Sequence, residues 1–236
     1  MTYVISDIHG CYDQYKKMLT EIEFKPSDTL FVLGDVVDRG PAPVKVLLDM
    51  MSRPNVFPIM GNHEGVAINF LSKLLVEITE DNYDKHFKKE DFLGLHFWFE
   101  DGGEVTLREF SKLPKEERLW VYEYLLEFSL YEVVTVGEKK FILSHAGLPE
   151  DVDLEKLESE NNYDDFDFVM AKINYNKQYF GDDVFTVTGH TPTMIINPYY
   201  KGKIYRSNNN IAIDTGAVFG ARMSCLCLET DEEFYV

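Results

Sequence analysis

The chain has 236 residues, of which 45% are hydrophobic, enough to fill one sizeable core in a single α/β domain. Its formal charge of -18 argues against a sequence-independent nucleic-acid binder, which needs a basic face to displace counterions from phosphate. No stretch approaches the roughly 18 consecutive apolar residues of a membrane helix, and the first residues show no signal-peptide pattern.

The three cysteines form an odd set without a paired framework. Cys225 and Cys227 alternate with leucines, which is typical of one face of a strand, and Cys11 stands alone. We therefore expect free thiols and a cytoplasmic location, with neither a nucleic acid nor a membrane as partner.

Short apolar runs that end in polar residues alternate with helical patterns along the chain. The runs predict strands at residues 3–5, 29–33, 56–60, 141–143 and 184–187, and the helical spacing predicts helices at 13–23, 43–51 and 64–78. Alternating strands and helices indicate βαβ units and a largely parallel sheet at the start of the chain.

The middle of the chain, residues 79–126, is predicted to be a helical, aromatic-rich insert with a break at Gly102 and Gly103. We expect most of its aromatic side chains to form a local core, with lining of a substrate groove as the alternative. A strand at 133–136 precedes a turn at Gly137, and the tail is predicted to form a second, antiparallel sheet from strands at 204–205, 211–213, 223–228 and 233–235. Residues 1–236 are expected to form one domain.

Five polar islands each follow an apolar run, at residues 6–10, 34–40, 61–64, 144–147 and 189–191. In open α/β sheets, functional groups gather at the carboxyl ends of strands. The islands contain six side chains that suit Mn- or Fe-like divalent ions, since they offer oxygen and imidazole donors without a thiolate: Asp7, His9, Asp35, Asn62, His145 and His190. Two such ions about 3.5–4 Å apart are common equipment for phosphoester hydrolysis.

Each island alone is a weak signal, because an Asp-x-His pair or a lone histidine is more often an ordinary surface or structural feature. Four of the six histidines nevertheless fall inside the islands. His86 and His96 lie outside them and are interpreted as ordinary histidines.

Taken together, the islands resemble the signature of the phosphoprotein phosphatase superfamily of calcineurin-like metallophosphoesterases, closest to the compact bacterial and phage serine/threonine phosphatases. The resemblance covers nearly the whole chain through five ordered motifs. It implies an α/β (α+β) fold of four layers, in which two mixed β-sheets pack as a sandwich flanked by helices. It also implies two divalent metal ions, Mn²⁺ first, with Fe or Zn as alternatives. One metal would be held by Asp7, His9 and Asp35, and the other by Asp35, Asn62, His145 and His190.

The expected reaction is direct attack of a metal-bridging hydroxide on phosphorus, without a phosphoenzyme. His63 is the candidate general acid for the leaving oxygen, since imidazole suits proton transfer near neutral pH. Asp38 is expected to hold the other ring nitrogen of His63. The resemblance assigns Arg39 to the phosphate oxygens, which a planar guanidinium binds two at a time.

Three positions refine the comparison with the family. Pro192 stands where broader metallophosphoesterases carry a further histidine, which favours the protein-phosphatase branch. Met60 stands where many members have an arginine. Lys172 is the best match to a further phosphate-binding arginine, and together with Arg39 and Asn62 it completes the candidate substrate-binding set; it could instead be an exposed helix lysine.

Three other charged residues bear on the same site. Arg206 and Arg222 are weaker candidates for phosphate binding, on position alone. Asp214 is expected to be a buried, hydrogen-bonded structural carboxylate without a metal.

The sequence leaves the substrate open between a phosphoprotein and a small phosphoester. The leading expectation is a serine/threonine phosphoprotein phosphatase. The alternative is a symmetrical bis(5'-nucleosyl)-tetraphosphatase, which usually has Asp in place of Glu64. A catalytically silent binding protein is disfavoured, because all six candidate ligands and His63 are present.

Overall fold

A computed structural model describes residues 1–76, 79–82, 86–159 and 163–236. Its first sheet has the strand order β10-β9-β1-β2-β3, in which β1 to β3 run parallel and β9 pairs antiparallel with both β1 and β10. The strands are β1 (Thr2–Ile5), β2 (Thr29–Leu33), β3 (Val56–Ile59), β9 (Ser224–Cys227) and β10 (Glu233–Tyr235).

The second sheet has the order β4-β5-β6-β8-β7. Its strands are β4 (Tyr131–Val136), β5 (Lys139–Ser144), β6 (Val184–Thr188), β7 (Tyr205–Ser207) and β8 (Asn210–Ala212). The strands β5, β6 and β8 run parallel, while β4 and β7 form the antiparallel edges. Gly137, with a φ of 62°, lies in the turn between β4 and β5, where a hairpin was predicted.

Helices fill the connections between strands. They are α1 (Tyr12–Glu21), α2 (Pro43–Met51), α3 (Asn62–Leu71), α4 (Lys89–Glu100), α5 (Glu104–Phe110), α6 (Lys115–Leu126), α7 (Leu154–Ser159), α8 (Asp165–Val169) and α9 (Thr193–Ile196). The predicted helix at 64–78 is therefore shorter than its apolar spacing indicated, because a 3-10 turn at Ser72–Leu74 follows α3. Ile78, its predicted end, lies outside the described residues.

Alternation along the strands produces the four-layer fold that was predicted. Tyr3 and Ile5 of β1 belong to the cluster under α1, α2 and α3, whereas Val4 belongs to the cluster between the two sheets. In β5, Phe141 points into the layer between the sheets and Ile142 into a third cluster with α7 and α8. The layers are thus helix, sheet, sheet, helix.

The helical insert packs onto the first core cluster, and its buried aromatics do not form a core of their own. Trp98 and Phe110 are buried in the cluster that also contains β1, α1 and α2. Phe92, Phe97 and Trp120 are instead exposed. The expectation of a local core was therefore wrong, because the helices of the insert reach back to the main sheet. The alternative that aromatics of the insert line a groove fits Phe97 and Trp98, which border a groove next to α3.

The tail was predicted as a separate antiparallel sheet, and the structure corrects this. β7 and β8 join the second sheet, where β8 runs parallel to β6, while β9 and β10 complete the first sheet beside β1. β9 is apolar on both faces, with Cys225 and Cys227 in one cluster and Leu226 in the other, so it suits a central position. Short alternating strands do not indicate which sheet they join.

Within the described part of the chain, no helix combines the length and the apolar character needed to cross a membrane. All three cysteines are free thiols, as predicted.

Candidate metal centre and active site

The carboxyl ends of the parallel strands bring the five islands to one edge of the sandwich. Asp7 follows β1, Asp35 follows β2 and Asn62 opens α3 just after β3. From the second sheet, His145 follows β5 directly and His190 follows β6. The two sheets thus contribute to one site, as the strand-end argument predicted.

Asp35 lies at the centre of this site. Its Oδ2 is 3.5 Å from Nε2 of His9, and its Oδ1 is 3.4 Å from Nε2 of His145. In the described residues, two close groups of potential ligand atoms share this carboxylate: His9, Asp35 and His63, and Asp35, His145 and His190. If both groups held an ion, this one carboxylate would offer an oxygen to each.

Two histidines present a lone pair to the centre because the other ring nitrogen is already used. Nδ1–H of His9 donates to the carbonyl of Val37 at 2.8 Å, and Nδ1–H of His145 donates to the carbonyl of Leu33 at 2.8 Å. A backbone carbonyl behind a histidine is the usual arrangement for metal-binding imidazoles. In each ring Nε2 is left as the acceptor that faces the centre.

The imidazoles of His9, His145 and His190 are held neutral. Burial lowers the pKa of His145 to about 3, with His190 adding to the effect, and burial with a contribution from Lys172 lowers the pKa of His190 to about 4. Burial, His63 and Arg39 also bring the pKa of His9 well below its ordinary value. A neutral imidazole is the form that binds a metal ion.

The site fits divalent cations on two further observations. Nε2 of His145 faces Oδ1 of Asn62 at 3.0 Å, which sets two acceptors against each other, and a cation between such atoms would satisfy both. Burial raises the pKa of Asp35 to about 7, because a desolvated carboxylate without a compensating cation is costly. The donor set contains oxygen and imidazole only, as expected for Mn- or Fe-like ions.

Asp7 lies beside this centre and outside the two close groups of the described residues. Both of its carboxylate oxygens accept the backbone N–H of His190, at 3.0 Å each. Burial raises its pKa, and the nearby carboxylates of Asp214 and Asp35 raise it further. Asp214 is itself buried and accepts the backbone N–H of Gly216 at 2.9 Å, in keeping with a structural carboxylate. The role of Asp7 as a ligand stays a prediction.

Backbone strain is concentrated at this edge of the sandwich. Six island residues other than glycine have left-handed φ angles between 42° and 69°: Asp7, His9, Asp35, Asp38, Arg39 and His190. Each such residue costs about 1 kcal/mol or more and persists only where the surroundings enforce it. Strain at these positions points to a site selected for chemistry.

Glu64 holds the strained loop after β2 in place. Its buried carboxylate accepts four backbone N–H groups, from Asp35 and Val36 at 2.8 Å, Gly61 at 3.0 Å and Val37 at 3.1 Å. A Cβ on Gly61 would lie only 2.4 Å from Oδ1 of Asp35, so glycine is required for this close approach. Glu64 therefore ties the loop of Asp35 to the start of α3.

His63 and Asp38 form a buried pair next to the centre. Nδ1–H of His63 donates to Oδ2 of Asp38 at 2.7 Å. The insert holds Asp38 from behind, since Trp98 donates its indole N–H to Oδ2 at 2.8 Å and Thr106 donates its hydroxyl to Oδ1 at 2.6 Å. The Asp38 carboxylate is thus fixed by two residues that follow it in the sequence by 60 and 68 positions.

The second ring nitrogen of His63, Nε2, lies between Asp35 of the centre and Asp101. Nε2 is buried and lacks a hydrogen-bond partner among the described residues, with Oδ2 of Asp101 3.4 Å away. Although burial opposes protonation, the hydrogen bond to Asp38 and the charge of Asp35 together raise the pKa of His63 above its ordinary value. A raised pKa keeps a proton available on this ring near neutral pH.

Arg39 reaches over the same centre. Its Nη1 donates to Nε2 of His9 at 2.8 Å, and its Nη2 donates to Oδ1 of Asp101 at 2.6 Å. The backbone of Arg39 is also bound, because its N–H donates to the carbonyl of Gly102 at 3.0 Å. Arg39 is therefore located where phosphate oxygens beside His9 would lie.

The remaining candidates for phosphate binding divide into near and distant residues. Lys172 is exposed in the segment after α8, outside a helix, and its charge acts on His190. Arg206 pairs with Glu233 and Asp231, and Arg222 donates to the carbonyl of Gly202. Arg206 and Arg222 are thus engaged among the C-terminal strands.

A groove of about 770 Å³ opens beside His63 and Asn62. Most of its side chains are apolar and come from α3, α4 and α8, including Val66, Phe97 and Val169. Its charged lining residues are two carboxylates, Asp101 and Asp165, and the described lining contains neither lysine nor arginine. A bound group would therefore meet an apolar and acidic wall.

Sequence reasoning missed the residues that support the candidate site from a distance. The sequence pattern places Trp98 among the core aromatics and gives no role to Thr106 or Asp101. Glu64 was used to compare substrates, whereas the structure shows its structural role. Contacts between residues 29 to 68 positions apart leave no local pattern in the sequence. The one available signal was Asp101, an acidic residue that stands before two glycines at the end of a helical pattern.

Comparison with known proteins places the chain among phosphoesterases. The sequence profile of the calcineurin-like phosphoesterase family matches residues 2–213. The asymmetrical bis(5'-nucleosyl)-tetraphosphatase PrpE of a Geobacillus strain is 26% identical over 94% of this chain and 87% of its own length. The symmetrical bis(5'-nucleosyl)-tetraphosphatase of Buchnera aphidicola is 32% identical over 73% of this chain and 58% of its own. Serine/threonine-protein phosphatase 2 of Salmonella typhimurium is 29% identical over 63% of this chain and 59% of its own.

Among solved structures, the crystal structure of a proposed diadenosine tetraphosphatase shares the fold. It aligns with a TM-score of 0.67 and 19% identity over 100% of this chain and 92% of the other. At this identity the likeness concerns the fold, and it agrees with the two-sheet sandwich described above.

Proposed function

Because the chain belongs to the calcineurin-like phosphoesterase family, we propose that it is a metal-dependent phosphomonoesterase acting on phosphoserine and phosphothreonine in proteins. The observation that carries this proposal is the orientation of His63. Its ring lines the groove, while its Nε2 is buried, has no hydrogen-bond partner among the described residues and lies 3.9 Å from Oδ2 of Asp35 at the candidate metal centre.

The proposed metal ligands are Asp7, His9, Asp35, Asn62, His145 and His190. Bound divalent ions, with Mn²⁺ as the first choice, would supply positive charge to the phosphate and lower the pKa of the attacking water. A cation on His9 would displace Nη1 of Arg39 from Nε2, which leaves that guanidinium group free to bind phosphate oxygens while Asp101 still holds its other nitrogen.

The chain's own residues complete the reaction. Arg39 binds two phosphate oxygens, with Asn62 and Lys172 as further contacts, and orients phosphorus for attack by water. His63, positioned by Asp38, donates the proton on Nε2 to the departing oxygen, and the charge of the leaving alcohol is thereby neutralised. Phosphate and a neutral alcohol are the products.

The groove favours a protein substrate over a nucleotide. The leaving group beside His63 must lie in this groove, whose described lining contains two carboxylates and neither lysine nor arginine. A serine or threonine side chain is uncharged there, whereas a nucleoside diphosphate would bring several negative charges.

A dinucleoside tetraphosphatase is the second candidate, and the relatives favour it. Of the three relatives described above, two carry that name, one asymmetrical and one symmetrical. The products distinguish the possibilities, since a phosphatase releases inorganic phosphate, a symmetrical enzyme two nucleoside diphosphates, and an asymmetrical enzyme a nucleoside triphosphate with a monophosphate.

The test is a direct comparison of substrates. The purified chain with Mn²⁺ is incubated with a phosphoserine peptide, a phosphothreonine peptide and diadenosine tetraphosphate at equal concentrations, and products are separated by anion exchange. We expect the peptides to have the higher kcat/KM. Nucleotide products formed faster than phosphate is released from either peptide would overturn the proposal.

A matched pair of histidine variants tests the general acid. His63→Asn is expected to lower kcat by about 100-fold or more while Mn²⁺ still binds, measured by calorimetry. His96→Asn, on the exposed side of α4, is the control and should retain activity. Unchanged turnover in His63→Asn would refute the assignment.

A further inference from the structure

We propose that Asp101 is a specificity-determining residue that selects the leaving group by charge. Resting on the proposed function, the inference deepens it by naming the substrate class: phosphopeptides with a basic residue next to the phosphorylated one, in preference to esters whose leaving group carries further phosphates.

The position of Asp101 follows from the end of α4. The helix ends at Glu100, and Gly102 next turns the chain with a φ of 95°. A Cβ on Gly102 would lie 2.7 Å from Cγ of Arg39, so only glycine lets the insert come this close. Asp101 is thereby held directly against the candidate site.

The two oxygens of Asp101 contact the two groups that would handle the substrate. Oδ1 accepts from Arg39 at 2.6 Å, and Oδ2 lies 3.4 Å from the unpartnered Nε2 of His63. A leaving oxygen that receives the proton of His63 must come within about 3 Å of Nε2. The atoms attached to that oxygen therefore lie within a few ångströms of the Asp101 carboxylate.

The charge of the leaving group determines whether the Asp101 carboxylate attracts or repels it. In a phosphoanhydride, a second phosphate is attached to the leaving oxygen and brings its negative charge beside Asp101, which is repulsive. In a phosphopeptide, the leaving oxygen belongs to an uncharged side chain, and a neighbouring lysine or arginine reaches Asp101 or Asp165 in the groove. The side chain of Asp101 is 56% exposed, so the effect is moderate and screened by salt.

The experiment compares two phosphoserine peptides that differ only in a lysine or a glutamate beside the phosphoserine, together with diadenosine tetraphosphate. For the wild-type chain with Mn²⁺ we expect kcat/KM about tenfold higher for the lysine peptide at low salt. Asp101→Asn keeps an acceptor for Arg39 and removes the charge. It should reduce the preference to about twofold and raise the relative rate on diadenosine tetraphosphate.

Asp231→Asn is the matched control, since Asp231 is 59% exposed and accepts from Arg206 at 2.8 Å away from the site. This variant should keep the wild-type preference. Peptides cleaved without a charge preference, or a preference that survives in Asp101→Asn, would overturn the inference and leave the proposed function intact. Peptides that are not cleaved at all would overturn both.

Discussion

Replacing Glu64 with glutamine provides the sharpest test of how the candidate site is held together. Each carboxylate oxygen of Glu64 accepts two backbone N–H groups: Oε2 those of Asp35 and Gly61, and Oε1 those of Val36 and Val37. Glutamine has one acceptor oxygen, so in either orientation two buried N–H groups face an NH₂ group. Each unpaired group costs about 1–3 kcal/mol, and we expect the free energy of unfolding to fall by about 2–6 kcal/mol.

Urea unfolding followed by tryptophan fluorescence measures the change, and amide hydrogen exchange locates it. In Glu64→Gln, exchange should accelerate first at the N–H groups of Asp35, Val36, Val37 and Gly61. Glu104→Gln is the control, because the side chain of Glu104 is 69% exposed and forms an ion pair with Arg108 of the same helix at 3.7 Å. A loss of less than about 0.5 kcal/mol in Glu64→Gln, the range of an ordinary surface change, would refute the reasoning.

Three further predictions concern stability, the buried pair and the metals. Burial raises the pKa of Asp49, but hydrogen bonds from Arg53 and Lys16 outweigh it and hold that pKa below its ordinary value. The contribution of Asp49 to the free energy of unfolding is therefore present at neutral pH and lost as the pH falls below about 4. Asp49→Asn should therefore lower the free energy of unfolding by about 1 kcal/mol at pH 7, with the difference vanishing near pH 2; an equal difference at both pH values would contradict this. Trp98→Phe removes the indole donor to Asp38 and should lower kcat about tenfold, with KM nearly unchanged in steady-state assays; wild-type kcat would show that the bond is dispensable. Chelation should lower the melting temperature, and Mn²⁺ at about 100 times its Kd should restore about 2.7 kcal/mol, so a melting curve insensitive to Mn²⁺ would argue against a metal centre.

The fold was predictable from the sequence where local pattern and strand order agree. The alternation of apolar runs with polar islands located β1, β2, β3, β5 and β6 and the edge at which their ends meet. The family resemblance, which the family profile confirms, supplied the two-sheet sandwich. The hydrophobic spacing predicted a helix that continues beyond the end of α3, because apolar residues in the 3-10 turn that follows, such as Leu74, also pack against the core.

The pairing of the tail was not predictable, because strand partners are chosen by long-range packing. Only coordinates show that β9 lies against β1, through Tyr3 and Cys227. The support of Asp38 by Trp98 and Thr106 was hidden for the same reason. Chemistry-bearing residues leave short motifs, whereas the residues that position them need only be nearby in space.

The pairing of β9 with β1 also sets an order of events during synthesis. Tyr3 of β1 pairs with Cys227 of β9, so a growing chain exposes one edge of β1 while all the residues between these two strands are made. An unpaired edge strand is prone to wrong partners and aggregation. The loop of Asp7 and His9 continues this same strand, so we expect the candidate site to reach its final geometry only after β9 has been made.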